Sequence, residues 1–204
     1  LILIIFMAKK KTAARKLPFE GKILMVGCGS IGQAILPLIF KHLAIEPSQI
    51  SIIAADKRGF EAAREYGVKH EVCALTKSNY KKEIQRRLGK GDFLLNLSVE
   101  TSSADILELC HKLGVLYLDT VAEPWTGFYT NTALSAEERS NYALREGILA
   151  LRRKYPSGPT AVSCMGANPG LVSSFIKQAL LNIARDTGVK ASKPKNKQEW
   201  ARLA

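Results

Sequence analysis

Lys22-Ile23-Leu24-Met25-Val26-Gly27-Cys28-Gly29-Ser30-Ile31-Gly32 is the stretch on which the reading of this chain turns. It opens as an apolar run with the length of a buried strand. It closes as G-x-G-x-x-G, and the following residues take a helical pattern over 31–43. The glycine pattern alone is weak, but between a strand and a helix it has the context it needs. Gly27 permits a tight turn, Gly29 lets backbone approach a pyrophosphate, and Gly32 allows close packing of helix on strand. The helix start then offers N–H donors and the positive end of its dipole to an anion.

Outward from this loop, short apolar runs alternate with amphipathic stretches. Strands are predicted at 22–27, 50–55, 68–73, 92–98, 115–119 and 160–165, with helices at 31–43, 58–66, 77–88, 102–113 and 137–154. Near-continuous apolar strands joined by helices indicate a parallel sheet covered on both faces. The fold class is therefore α/β, a Rossmann-type doubly wound sheet. Gly67, Gly89 and Gly114 each follow a helical pattern and are expected as left-handed helix ends. Ser135 and Glu138 form a capping-box pattern ahead of the helix 137–154, which Tyr155-Pro156 ends. Asp56 lies 24 residues after Gly32, at the end of the second strand. A carboxylate there bonds both ribose hydroxyls of NAD and repels a 2′-phosphate, whereas the adjoining Lys57 and Arg58 would favour NADP. The plain alternative is a glycine turn with an N-capping aspartate.

The net charge of +12 comes from 30 basic and 18 acidic residues, and it sits at the two ends. Residues 1–18 carry +5 and residues 187–204 carry +4, leaving +3 for the body. No basic stripe with interleaved aromatics crosses that body, which argues against a nucleic-acid partner. Leu1 to Ala8 is too short an apolar run to span a bilayer, so no membrane role is expected. Met7 opens an ordinary-looking start, and Leu1–Phe6 read as an addition ahead of it. Residues 1–18 are expected to be a disordered basic tail, 19–186 the dinucleotide-binding domain, and 187–204 the beginning of a second, truncated domain. Cys28, Cys73, Cys110 and Cys164 are irregularly spaced, which argues against zinc and against a disulfide framework. Reduced thiols in a cytoplasm and no bound metal are expected. His42, His70 and His111 lack companion ligands, and Lys81-Lys82 with Arg86-Arg87 read as a solvated helix face.

Ligands of such sheets bind outside the carboxyl ends of the strands. Three unusual segments fall there: Asn96 to Thr101, Asp119 to Trp125, and Gly166 to Gly170. They offer carboxylates, an amide and aromatics, without a Ser-His-Asp set, a metal cluster or a Schiff-base lysine. Carboxylates beside Trp125, Phe128 and Tyr129 suit a cationic substrate through ion pairing and cation–π contact. Each has a bland counterpart. Asp119 suits a loop tie or helix cap, the aromatics suit domain packing, Glu100 suits a solvated acid, and Asn168 before Pro169 suits a turn.

The segments FEGKILMVGCGSIGQAILPLIFKHL, DTVAEPWTGFY and GANPGLVS together resemble bacterial homospermidine synthases, relatives of the saccharopine dehydrogenase group. The resemblance runs from about Phe19 to the last residue. It implies an enzyme that keeps NAD bound and condenses two putrescines into homospermidine. Ammonia leaves, imines are intermediates, and the hydride returns without net redox change. It implies cofactor contacts from Gly27, Gly29, Ser30, Ile31, Gly32, Asp56, Ser98, Asp119 and Thr120. It also implies catalytic roles for Glu123, Asn168 and Trp125. Putrescine and related diamines are the implied substrates, and a homodimer is implied at full length. Family members are longer and carry a second domain with further site residues. A saccharopine dehydrogenase-like oxidoreductase with net redox change, or a non-catalytic NAD-binding fragment, are the competing expectations.

Overall fold

The computed structural model describes residues 15–189 and 192–203. In chain order the first half contains β1 (Leu17–Pro18), β2 (Ile23–Val26), α1 (Ser30–His42), β3 (Leu43–Ala44), β4 (Ile50–Ala54), α2 (Phe60–Glu65), β5 (Lys69–Val72) and α3 (Tyr80–Gln85). Then follow β6 (Phe93–Asn96), α4 (Ser103–Leu113), β7 (Leu116–Asp119), α5 (Asn141–Lys154), β8 (Ala161–Val162), α6 (Leu171–Asp186) and α7 (Lys197–Leu203). Six strands form one sheet in the order β5-β4-β2-β6-β7-β8, with every pairing parallel. The chain runs from β2 outward to β5, then returns to the other side of β2 and runs outward to β8. The strand order therefore reverses between β2 and β6, which opens the binding crevice of a doubly wound sheet.

Both faces of this sheet are covered over the central strands β2, β4 and β6, and the strand sequences show why. In β2, Leu24 and Val26 point into a cluster with Ile84, Leu94, Ile106 and Tyr117 on the α3–α4 side. Ile23 and Met25 point the other way, to Leu36, Ile39, Ile52 and Leu95 beneath α1 and α2. A strand buried on both faces has no polar position to alternate with. Each such side chain stabilises the fold by roughly 1.5–3 kcal/mol relative to exposure.

Four local expectations are corrected. Leu17 and Pro18, assigned to a disordered tail, pair in parallel with Leu43 and Ala44; residues 1–14 lie outside the described part. The Ser135–Glu138 capping box forms reciprocally, but it closes a separate turn. The helix begins later, at Asn141, where the Ser140 hydroxyl accepts from the Ala143 N–H. Gly67 and Gly114 are left-handed as expected, while Gly89 is not, and Gly91 (φ 87°) makes that turn into β6 instead. Arg87 does not belong to a solvated face, whereas Arg86 is exposed as expected. Both grip Glu71 and Glu83 at 2.6–2.8 Å, and the Arg87 side chain is only 11% exposed. Those two acids and Cys73 are also the grouping of metal-ligand type among the described residues, and its carboxylates are engaged by the arginines.

All four cysteines are free thiols. No helix among the described residues is long and apolar enough to cross a membrane.

Candidate functional site

The glycine loop occupies the reversal point. Its ends are tied to both neighbours: Gly27 N–H donates to Ile53 O at 2.8 Å, and Leu97 N–H donates to Val26 O at 2.8 Å. Gly27 has φ 90°, and a Cβ there would meet Leu97 O and Ser98 N at 2.9 Å. A Cβ on Gly32 would meet Gly27 O at 2.9 Å, so the helix seats directly on the turn. At Gly29, by contrast, a Cβ would find nothing within 4 Å. The space above Gly29 is open in front of the α1 N-terminus, which no side chain caps and which has no acid in its first turn. Backbone donors, dipole and free space thus coincide, and the residues fit a dinucleotide pyrophosphate. Ile31 stands exposed beside this opening.

Two further residues support the loop. Cys28 is buried, and burial pushes its thiol up, so it packs and does not react. It rests on Gly59, a position without any signal in the sequence. Gly59 is left-handed (φ 79°), and any side chain there would overlap Cys28. Asp56 lies just beyond β4 with its carboxylate exposed. The Arg58 backbone N–H and guanidinium, each at 2.8 Å, hold it below the usual carboxylate range. This is a water-exposed pair, readily exchanged for ribose hydroxyls.

The loops after β6, β7 and β8 converge along the remaining edge. Glu100 takes a left-handed conformation (φ 58°) and aims its N–H at Glu123 Oε2, 3.4 Å away. Its own carboxylate accepts from the Thr126 hydroxyl at 3.4 Å, so two acids share this corner. Glu123 is clamped through its backbone. Its N–H donates to Ser103 Oγ at 2.9 Å, and its carbonyl accepts from Ser103 N–H at 2.8 Å. Its side chain is half-buried, and its carboxylate accepts from the Glu100 N–H. Thr120 sits under the third loop, where Gly166 leaves room for it. Asn168 is exposed on that loop, which closes on itself through Gly166 N–H to Pro169 O at 2.9 Å.

Two sequence assignments change. Asp119 is not open to a cofactor: it is fully buried. Burial pushes its carboxyl up, and Cys164 N–H, Tyr117 and Ser163 act against that shift. It ties β7 to the residues that follow β8, where Cys164 takes φ 61°. Trp125 is turned into the body. Its indole N–H donates to Asp105 at 2.5 Å, and its ring packs on Tyr80 with centroids 5.3 Å apart. It anchors the segment carrying Glu123 and does not line the edge. Ser98 is bonded to Asn96 through both its N–H and its hydroxyl. Tyr117 escapes a reading of the sequence for site residues, although it is a polar group inside an apolar strand, and Asn96 opens a segment noted there without a role of its own.

A parallel sheet of this order with a bare glycine-loop helix start defines a dinucleotide-binding domain of Rossmann type. The profile of the family described as saccharopine dehydrogenase NADP binding domain matches residues 23–162. The chain belongs to that family. It is 50% identical over 188 residues to the homospermidine synthase of Blastochloris viridis, covering 91% of this chain and 39% of that protein. To the homospermidine synthase of Mesorhizobium japonicum it is 43% identical, again spanning 39% of the relative's length. Among solved structures, the homospermidine synthase of Legionella pneumophila in complex with NAD superimposes with a TM-score of 0.80 at 42% identity. That match covers 92% of this chain and 38% of the other. Yeast saccharopine dehydrogenase (L-Glu forming), at 12% identity and a TM-score of 0.54, shares the fold.

Proposed function

We propose that this chain binds NAD along the carboxyl edge of its sheet and forms the cofactor half of a homospermidine synthase acting on putrescine. The observation that carries the cofactor reading is the open space at Gly29, facing an uncapped helix start between two glycines that are tightly packed. The 50% identity to a homospermidine synthase supports the activity.

In this reading Gly29, Ser30 and Ile31 hold the pyrophosphate through their backbone, with Gly27 and Gly32 shaping the turn. Asp56 takes the ribose hydroxyls, and Ser98 and Thr120 border the nicotinamide half. NAD, when bound, supplies a hydride acceptor that can return the hydride later. The chain's own groups handle the diamine. Glu123 pairs with an ammonium, and Glu100 adds a second negative charge in the same corner. Asn168 offers an amide that donates to, or accepts from, an amine or imine nitrogen. Trp125 and Tyr80 close the floor beneath this corner. Related diamines fit the same charges, and the full-length protein is read as a cytoplasmic homodimer with no nucleic-acid or membrane partner.

Calorimetric titration of the chain tests the cofactor. NAD is expected to bind about tenfold or more tightly than NADP, because Asp56 repels a 2′-phosphate. Equal or tighter NADP binding overturns the assignment and promotes Lys57 and Arg58. For the full-length protein with putrescine and NAD, homospermidine and ammonia without accumulating NADH support the proposed reaction. Accumulating NADH without homospermidine supports a net oxidation.

A further inference from the structure

Beneath the cofactor edge runs an unbroken line of buried polar groups. The Asn96 amide oxygen accepts from both the N–H and the hydroxyl of Ser98, at 3.2 and 2.6 Å. That fixes the amide, because its oxygen must face Ser98 and its nitrogen must face away. The nitrogen meets the Tyr117 hydroxyl at 3.4 Å, and that hydroxyl donates to Asp119 at 2.8 Å. Asp119 in turn accepts from the Ser163 hydroxyl at 2.9 Å and from the Cys164 N–H at 2.6 Å. Asn96, Tyr117 and Asp119 are 2%, 1% and 0% exposed.

A sheet interior gains nothing in stability from desolvating an amide, a phenol and a carboxyl where apolar residues would fill the same volume. What this line does is connect. It crosses β6, β7 and β8 at their carboxyl ends. One end is Ser98, whose backbone touches the Gly27 turn, and the other is the start of the segment 163–170 that carries Asn168. We propose that Tyr117, bridging Asn96 and Asp119, is a positioning residue that sets the Ser98 loop against the 163–170 loop, so that dinucleotide affinity depends on hydrogen bonds made at β8. This rests on the dinucleotide reading above.

The test is a double-mutant cycle on NAD affinity, using Tyr117→Phe and Ser163→Ala in the chain as it stands. Each change removes one oxygen and keeps the shape. Tyr117→Phe is expected to weaken NAD binding about three- to tenfold, and Ser163→Ala about threefold. In the Tyr117→Phe background, Ser163→Ala should have almost no further effect, since the line is already cut. Ile84→Val, a core change outside the line, should lower Tm and leave the NAD Kd unchanged. Unchanged affinity in Tyr117→Phe overturns the proposal. So do strictly additive effects, which would mean that Ser163 acts directly. Failure of the unmutated chain to bind NAD overturns the dinucleotide reading itself, and the proposal with it.

Discussion

At Gly29 a methyl group would touch nothing in the folded chain, while at Gly27 it would run into the backbone of Leu97 and Ser98. The two glycines therefore serve different ends, and substitution separates them. Gly27→Ala forces a left-handed conformation on a residue with a Cβ and should cost at least about 1–2 kcal/mol of stability. Gly29→Ala should leave Tm unchanged and weaken NAD binding about tenfold or more, because the methyl enters the space a pyrophosphate needs. Thermal denaturation and calorimetry of the two variants check this together. Glu123 invites a similar separation. Its backbone is held by Ser103, so Glu123→Gln keeps every backbone tie and removes only charge. A charge-assisted bond is worth roughly 1.5–3 kcal/mol, so in the reaction proposed above kcat/KM for homospermidine formation by the full-length protein should fall about ten- to a hundredfold. Tm and NAD affinity should hold. The glycines could be singled out in the sequence by their spacing, and Glu123 by the resemblance of its segment to the family. Gly59 could not, because its partner Cys28 lies 31 residues away and only the folded chain brings them into contact.

Between elements, a contact sensitive to pH joins α4 to the end of α5. Glu108 on α4 accepts from Lys154 at 2.8 Å and from the Tyr155 hydroxyl at 2.7 Å, with Lys112 one turn further on. The Lys154 and Tyr155 bonds, reinforced by Lys112, bring the Glu108 carboxyl down to about 2. A folded-state value below that of the unfolded chain adds stability above the unfolded value and loses it as pH falls. The advantage of the parent over Glu108→Gln should therefore be complete above about pH 5 and fade between about pH 4.5 and pH 2. Because both lysines are largely exposed, the full difference should be only about 1 kcal/mol. Denaturant unfolding of both proteins at several pH values measures it. Apart from α6 (Leu171–Asp186), which was not expected, the main helices and the strands of the six-stranded sheet were legible at this scale from apolar runs and glycine stops. Their docking was not. The spacing of Glu108, Lys154 and Tyr155 carries no local signal, and the Ser135–Glu138 box marks a turn just ahead of α5 where the pattern alone suggested the helix start.

Across the whole molecule, one parallel sheet runs from β5 to β8 with its buried core over the central strands, whereas α6 stands apart from that core. Phe175, Ile176 and Ile183 on α6 are exposed and only Ala184 is buried, while Lys177 covers the Trp200 ring of α7 at 5.5 Å. The chain spans 39% of the length of the homospermidine synthases it matches. The doubly wound class, the six strands of the main sheet, the glycine loop and the Asp56 position were determined by sequence alone, because each rests on a local pattern: strand-length apolar runs, helical periodicity, or glycines at a fixed spacing. Tertiary structure alone decided the roles of Asp119 and Trp125, the pairing of Glu100 with Glu123, and the buried line through Asn96 and Tyr117. A polar side chain at the end of a strand reads the same whether it faces a ligand or the interior. Its direction is set by partners on other strands, tens of residues away, and only folding supplies them.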